Sequence, residues 1–167
     1  MVSLLLVSLL GPGRADWQAN LGAVAMARLE LANWPSNRWD TGRNVAALEP
    51  AERLFHQALA ANPGQATAHH RLGLIAMLRR DYSTAVEHLE VARRANPGHP
   101  GIHKALGYSY AWTGRLDEAE VLLASVPEAA RELEIYSWWW LDQSRVDLAE
   151  RATEMLTRLQ VAPATGN

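Results

Sequence analysis

One feature narrows the possible folds of this chain more than any other, a segment that repeats itself. "HHRLGLIAMLRRDYSTAVEHLEVARRANPGHP" aligns with "HKALGYSYAWTGRLDEAEVLLASVPEA" at an offset of thirty-four residues. His69 falls on His103, Leu72-Gly73 on Leu106-Gly107, and Ala85 on Ala119; Asn62-Pro63-Gly64 recurs as Asn96-Pro97-Gly98. A fixed period of this length means stacked copies of one small unit, none of which buries its apolar face alone. The apolar positions within each copy follow helical spacing. Asn-Pro-Gly is punctuation that ends one helix and opens the next. Alanine and leucine are prominent and β-branched residues few, which favours helix over sheet.

The spacing of Leu-Gly in a first helix and Ala, a large apolar residue and Ala in a second, closed by proline, resembles the tetratricopeptide repeat. That resemblance implies two antiparallel helices per unit. It places Leu72, Gly73, Leu106 and Gly107 where the helices of a unit press together, with Ala85 and Ala119 as small partners. Two clear repeats span 66–99 and 100–129. An earlier second helix carries Ala51, Phe55, Ala58 and Pro63, and its first helix is expected in "DWQANLGAVAMARLELAN", with Leu21-Gly22 in register and Asp16 as N-cap. Between them 33–44 reads as an inserted irregular loop. Pro127 interrupts the clear repeats, and a shortened unit follows with Leu133, Tyr136, Ser137 and Trp140 in register, Ser137 replacing glycine. The expected fold is all-α, a tetratricopeptide-like α-solenoid of about four antiparallel helix pairs over 14–160. An apolar N-terminal arm covers 1–13, and 161–167 is a polar tail.

Little points to catalysis. His69, His70, His99 and His103 invite a metal reading, but Pro100 and Gly101 separate the last two and no HExxH is present. Packing explains His69 and His103 better. No nucleophile triad has motif context and no glycine-rich phosphate loop follows a strand. The reading is a non-enzyme with no cofactor and no metal. A formal charge of −2 argues against nucleic acid. With no cysteine there is no disulfide framework.

The resemblance implies a groove lined by the first helices. The positions that face it are His70, Arg71, Leu74 and Met77 in one unit, Lys104, Tyr108 and Trp112 in the next, and Trp138 in the last. Such a surface suits an apolar peptide segment. The competing reading packs Tyr108 and Trp112 under a neighbouring helix. Consecutive Trp138, Trp139 and Trp140 cannot share one helix face. Trp140 is assigned to the core and Trp138 to the groove. Trp139 faces a neighbouring subunit or a membrane interface, or lies flat over the last helix.

The opening "MVSLLLVSLLGPG" has three readings: signal peptide, membrane segment or arm. It lacks the basic start of a signal peptide. It is too short to span a bilayer, although it could be the end of a longer span. In that respect the chain also resembles the repeat tails of bacterial multi-pass surface-polysaccharide ligases. This gives the alternative of an accessory domain of a membrane enzyme such as an O-antigen ligase or polymerase, associating with the membrane through 2–10. As an arm, Leu4, Leu5, Leu6, Val7, Leu9 and Leu10 would seat on a partner, with Gly11-Pro12-Gly13 as hinge. The favoured function is a protein-interaction scaffold that assembles with itself into a head-to-tail oligomer, filament or tube. An extracellular or membrane-associated location is favoured over a cytoplasmic one.

Overall fold

In the computed structural model the described residues are 12–33 and 42–161. The apolar arm residues Leu4, Leu5, Leu6, Val7, Leu9 and Leu10, most of the inserted loop and the polar tail lie outside them. The described residues form helices and no strand. They fall into two compact units, one ending at Pro97 and the other beginning at Gly98.

The first unit holds α1 (Pro12–Asn33), a short α2 (Gly42–Ala46), α3 (Glu49–Ala61), α4 (Ala66–Leu78) and α5 (Tyr82–Ala95). α1 pairs with α3 and α4 with α5, and α4 also packs on α3 and α1. The second holds α6 (Pro100–Thr113), α7 (Leu116–Leu123), α8 (Ala129–Asp142) and α9 (Val146–Val161). Here α6 pairs with α7 and α8 with α9, and α9 packs on α7 and α6. The all-α architecture of four helix pairs therefore stands.

Local chemistry sets the boundaries. Gln65 caps α4 by accepting from the Ala68 N–H at 2.6 Å. Asp81 caps α5 by accepting from the Thr84 N–H at 3.1 Å. Pro50 and Pro100 sit in first turns, where a missing N–H costs nothing. Gly114 closes α6 in the left-handed conformation, φ 83°. Arg80 and Ser144 occupy comparable corners after α4 and α8 with φ 61° and 57°.

Three sequence expectations are corrected here. α1 starts at Pro12, so Asp16 is not its cap and Pro12-Gly13 is not a hinge. The Asp16 carboxylate instead accepts from Gln65 Nε2 at 3.1 Å, tying α1 to the start of α4. Part of the expected loop is helical, since Gly42–Ala46 forms α2.

A Cβ on Gly73 would lie 2.5 Å from Leu89 Cγ, one on Gly107 2.7 Å from Leu123 Cδ2, and one on Gly22 2.6 Å from Phe55 Cε1. Phe55, Leu89 and Leu123 occupy one repeat position. The glycines therefore make room for a large side chain. Ala51, Ala85 and Ala119 are buried on the same helices, while the atoms nearest the glycines belong to Phe55, Leu89 and Leu123. Leu72 and Leu106 are buried as expected, whereas Leu21 is 40% exposed.

Candidate protein-interaction surface

The eight groove positions divide evenly between the two units. In the first unit His70, Arg71, Leu74 and Met77 lie along α4 and are half-buried. Leu74 packs against the core cluster of Phe55, Leu72 and Ile75.

In the second unit the residues do not form an open groove. Tyr108 is 3% exposed and Trp112 4%. Their rings stack on each other with centroids 6.0 Å apart and planes at 12°. Tyr136 of α8 meets both edge-on at 5.4 Å, and Trp140 meets Trp112 at 5.7 Å. Rings in these geometries attract beyond the area they bury. The aromatics thus join α6 to α8, which removes Tyr108 and Trp112 from the open surface. Sequence register could place them on the α6 face but could not show that α8 answers with its own rings.

Polar groups complete that joint. The Tyr108 hydroxyl donates to Glu132 Oε2 at 2.6 Å. Lys104 Nζ donates to Glu132 Oε1 at 2.7 Å and Glu128 Oε1 at 2.8 Å. Burial, followed by the hydrogen bond to the Glu132 carboxylate, pushes the Tyr108 hydroxyl far above the usual phenol range. Burial alone would lower Lys104, but its two carboxylate partners outweigh that and raise it. Glu128, exposed, is held below its ordinary value mainly by the Lys104 hydrogen bond. Lys104 is therefore an internal strut. On the far side, Arg151 Nη1 donates to the Trp112 carbonyl and ties α9 to α6.

His99 and His69 make hydrogen bonds that hold the fold. His99 caps α6, its Nδ1 accepting from the Ile102 N–H at 3.3 Å. His69 is nearly buried, and its Nε2 lies 2.8 Å from the Pro63 carbonyl, so that nitrogen donates. His69 Nδ1 then accepts from His88 Nδ1 at 2.9 Å. Burial, then neighbouring His69 and His56, lower the His88 pKa. Among the described residues no group of three His, Asp or Glu is placed to hold a metal. A cleft of about 380 Å³ lies between the start of α6 and the α7–α8 turn, touching His103, Lys104 and Glu128. Its one ammonium is already shared between two carboxylates.

Apolar side chains face solvent along α1 and α8, and singly at Val121 of α7 and Val161 of α9. Trp17, Leu21, Val24 and Leu31 are exposed on α1, three or four residues apart except for the gap held by exposed Arg28. That spacing is one helix face. On α8, Trp138 is 72% exposed, and Ile135 and Leu141 are exposed as well. Val146 continues this surface onto α9. Trp139 is only partly exposed and leans on Trp140, ring centroids 4.4 Å apart, and on Tyr136. Trp140 is buried. The sequence pattern missed the α1 stripe because Leu21 was assigned to packing; its spacing was the available signal. Among the described residues no helix is long and apolar enough to cross a membrane.

Two family models, each described as tetratricopeptide repeat, match residues 76–137 and 48–100. No curated protein matches the chain. Among solved structures, MamA from Desulfovibrio magneticus RS-1, residue 41 to its end, is 17% identical. That match covers 91% of this chain and 98% of that one, with a TM-score of 0.46. MamA AMB-1 is 18% identical, covering 91% and 94%, with a TM-score of 0.47. MamA MSR-1 C2 is 16% identical, covering 88% and 97%, with a TM-score of 0.46.

Proposed function

The chain belongs to the tetratricopeptide-repeat family, and from that premise we propose that it is a non-catalytic protein-binding scaffold whose partner is another copy of itself. One observation carries this reading. The first and last helix pairs in chain order turn large apolar side chains outward, Trp17 and Leu31 on α1 and Trp138 and Leu141 on α8. Contiguous surface of this kind marks a contact site. Burying one such side chain is worth about 1.5–3 kcal/mol, so a few together outweigh much of the cost of association. The strong polar interactions of the second unit, by contrast, are taken up within it: Lys104, Glu132 and Tyr108 bond one another.

The apolar run at 2–10 is assigned to the same task. Leu4, Leu5, Leu6, Val7, Leu9 and Leu10 supply apolar area without charge, suited to a second contact with a neighbouring copy. The half-buried His70, Arg71, Leu74 and Met77 face of α4 is the surface left for an apolar segment. Contacts between dissimilar surfaces are heterologous and extend into chains unless rotation closes them.

Sedimentation velocity of the full chain without detergent tests this. The proposal expects mass to rise with concentration from low to high micromolar, and expects deletion of residues 1–11 to weaken that rise while leaving a helical fold. A chain that stays monomeric throughout the range would refute self-association.

A further inference from the structure

The exposed face of α1 has a covered counterpart in the same molecule. In repeat register Trp17, Leu21 and Val24 correspond to Ala68, Leu72 and Ile75 of α4. Those three are buried, in one cluster with Ala51, Phe55 and Ala58 of the preceding helix pair. The same positions on α1 are open to solvent. α1 therefore presents the face that, one pair later, is covered by a preceding pair.

The last pair presents the complementary half. Gly22 corresponds to Ser137, so Met26 corresponds to Leu141; Ala51 corresponds to Ala149, so Leu48 corresponds to Val146. Met26 and Leu48 are buried in the cluster that receives α4. Leu141 and Val146 are about half exposed. The chain thus carries both sides of its own stacking contact, one at each end of the repeat order. Charge agrees with this pairing. Arg79 of α4 pairs with Glu52 of α3 at 2.6 Å across the covered contact, and in repeat register exposed Arg28 of α1 stands at Arg79 and exposed Glu150 of α9 at Glu52. Opposite charges at the rim of an apolar contact fix its register and suppress wrong partners.

We propose that copies join head to tail, the α8–α9 pair of one copy stacking on the outer face of α1 of the next. This rests on the self-association reading and names its interface. A second copy is the occupant because the surface that fits α1 by repeat register and by charge is the chain's own last pair.

The chain has no cysteine, so single thiols report contacts cleanly. Copies carrying L21C are mixed with copies carrying L141C and treated with a short bismaleimide. A covalent dimer in the mixture and none from either variant alone is expected. Dimers from L21C alone would mean a two-fold contact through α1 and overturn the proposal. A link within one chain between L21C and L6C, with none between copies, would seat the chain's own apolar run on α1 and also overturn it.

Charge reversal gives an independent readout by sedimentation. R28E should weaken association by roughly tenfold or more through like-charge contact with Glu150, and E150R likewise. Combining the two substitutions should restore it. A wild-type chain monomeric at every concentration would remove the self-association reading itself. Wild-type association with no mixed cross-link and no response to either reversal would remove this interface alone.

Discussion

Leu21 and Leu72 occupy the same repeat position, yet Leu21 is 40% exposed and Leu72 is 3% exposed. The difference is one of neighbours. Leu72 has the α1–α3 pair against it, in the cluster built around Phe55. α1 opens the sequence of described pairs. Among the described pairs the same repeat position is thus covered on α4 and open on α1.

Packing behind the glycines predicts a large penalty for any side chain there. Gly107→Leu should drive into Leu123 Cδ2 and Cγ, where a single Cβ already approaches to 2.7 and 2.8 Å. Overpacking of this kind costs roughly 1–3 kcal/mol or more. Thermal melts followed by circular dichroism should show a clear fall in midpoint. An unchanged midpoint would mean that α6 and α7 do not meet at this glycine.

The repeat register explains how much was legible from the sequence. Leu72-Gly73 and Leu106-Gly107 mark the pairs because a close helix contact imposes glycine at one spacing, and the family and the all-α fold follow from it. What fills the space is a different question. Pattern alone pointed to Ala85 and Ala119, while the atoms nearest to a Cβ at Gly73 and Gly107 belong to Leu89 and Leu123. The fate of Tyr108 and Trp112 depends on Tyr136 and Trp140, which lie beyond Pro127 where the period breaks. Leu21 differs because a repeat pattern states what a position can face and not whether a described pair covers it. Asp16 suits a cap by residue type, but the helix already opens at Pro12.

The buried rings predict a division of labour among the aromatics. Trp112→Ala removes the ring on which Tyr108, Tyr136 and Trp140 converge, and should cost about 3–5 kcal/mol of stability. Trp138→Ala removes an exposed ring and should leave the melting midpoint nearly unchanged while weakening association. Melts and sedimentation on the two variants check both halves. A destabilised Trp138→Ala would show that this ring packs on its own chain.

His88 predicts an acid limb in the stability profile. Burial first, then the two neighbouring histidines, hold its pKa below the ordinary 6.5. The unfolded chain therefore binds a proton more readily than the folded one. The stability contribution is full above about pH 6.5 and is lost as pH falls from there toward the lowered folded value. His88→Asn keeps a donor for His69 Nδ1 without a titrating ring. Denaturant midpoints measured from pH 7.5 to 5 should fall in the wild type and fall less in the variant. Equal slopes would contradict the assignment.

The corner after α8 predicts a stabilising change. Ser144 sits at φ 57°, a conformation that disfavours a side chain. Gly114 fills the comparable corner after α6 without that penalty. Ser144→Gly should gain about 0.5–1 kcal/mol, allowing for the greater freedom of glycine in the unfolded chain. A rise in melting midpoint of a few degrees is the expected result, and a fall would contradict it.

The central claim is that the open face of α1 joins one copy to the next, and Leu21→Asp tests it most directly. The side chain is exposed in the single chain, so the substitution should leave the helical spectrum and melting midpoint close to wild type. A charge buried without a partner at the contact should prevent docking. Sedimentation velocity should then show a folded monomer at concentrations where the wild type associates. A Leu21→Asp chain that sediments as the wild type does, at every concentration, would contradict the account.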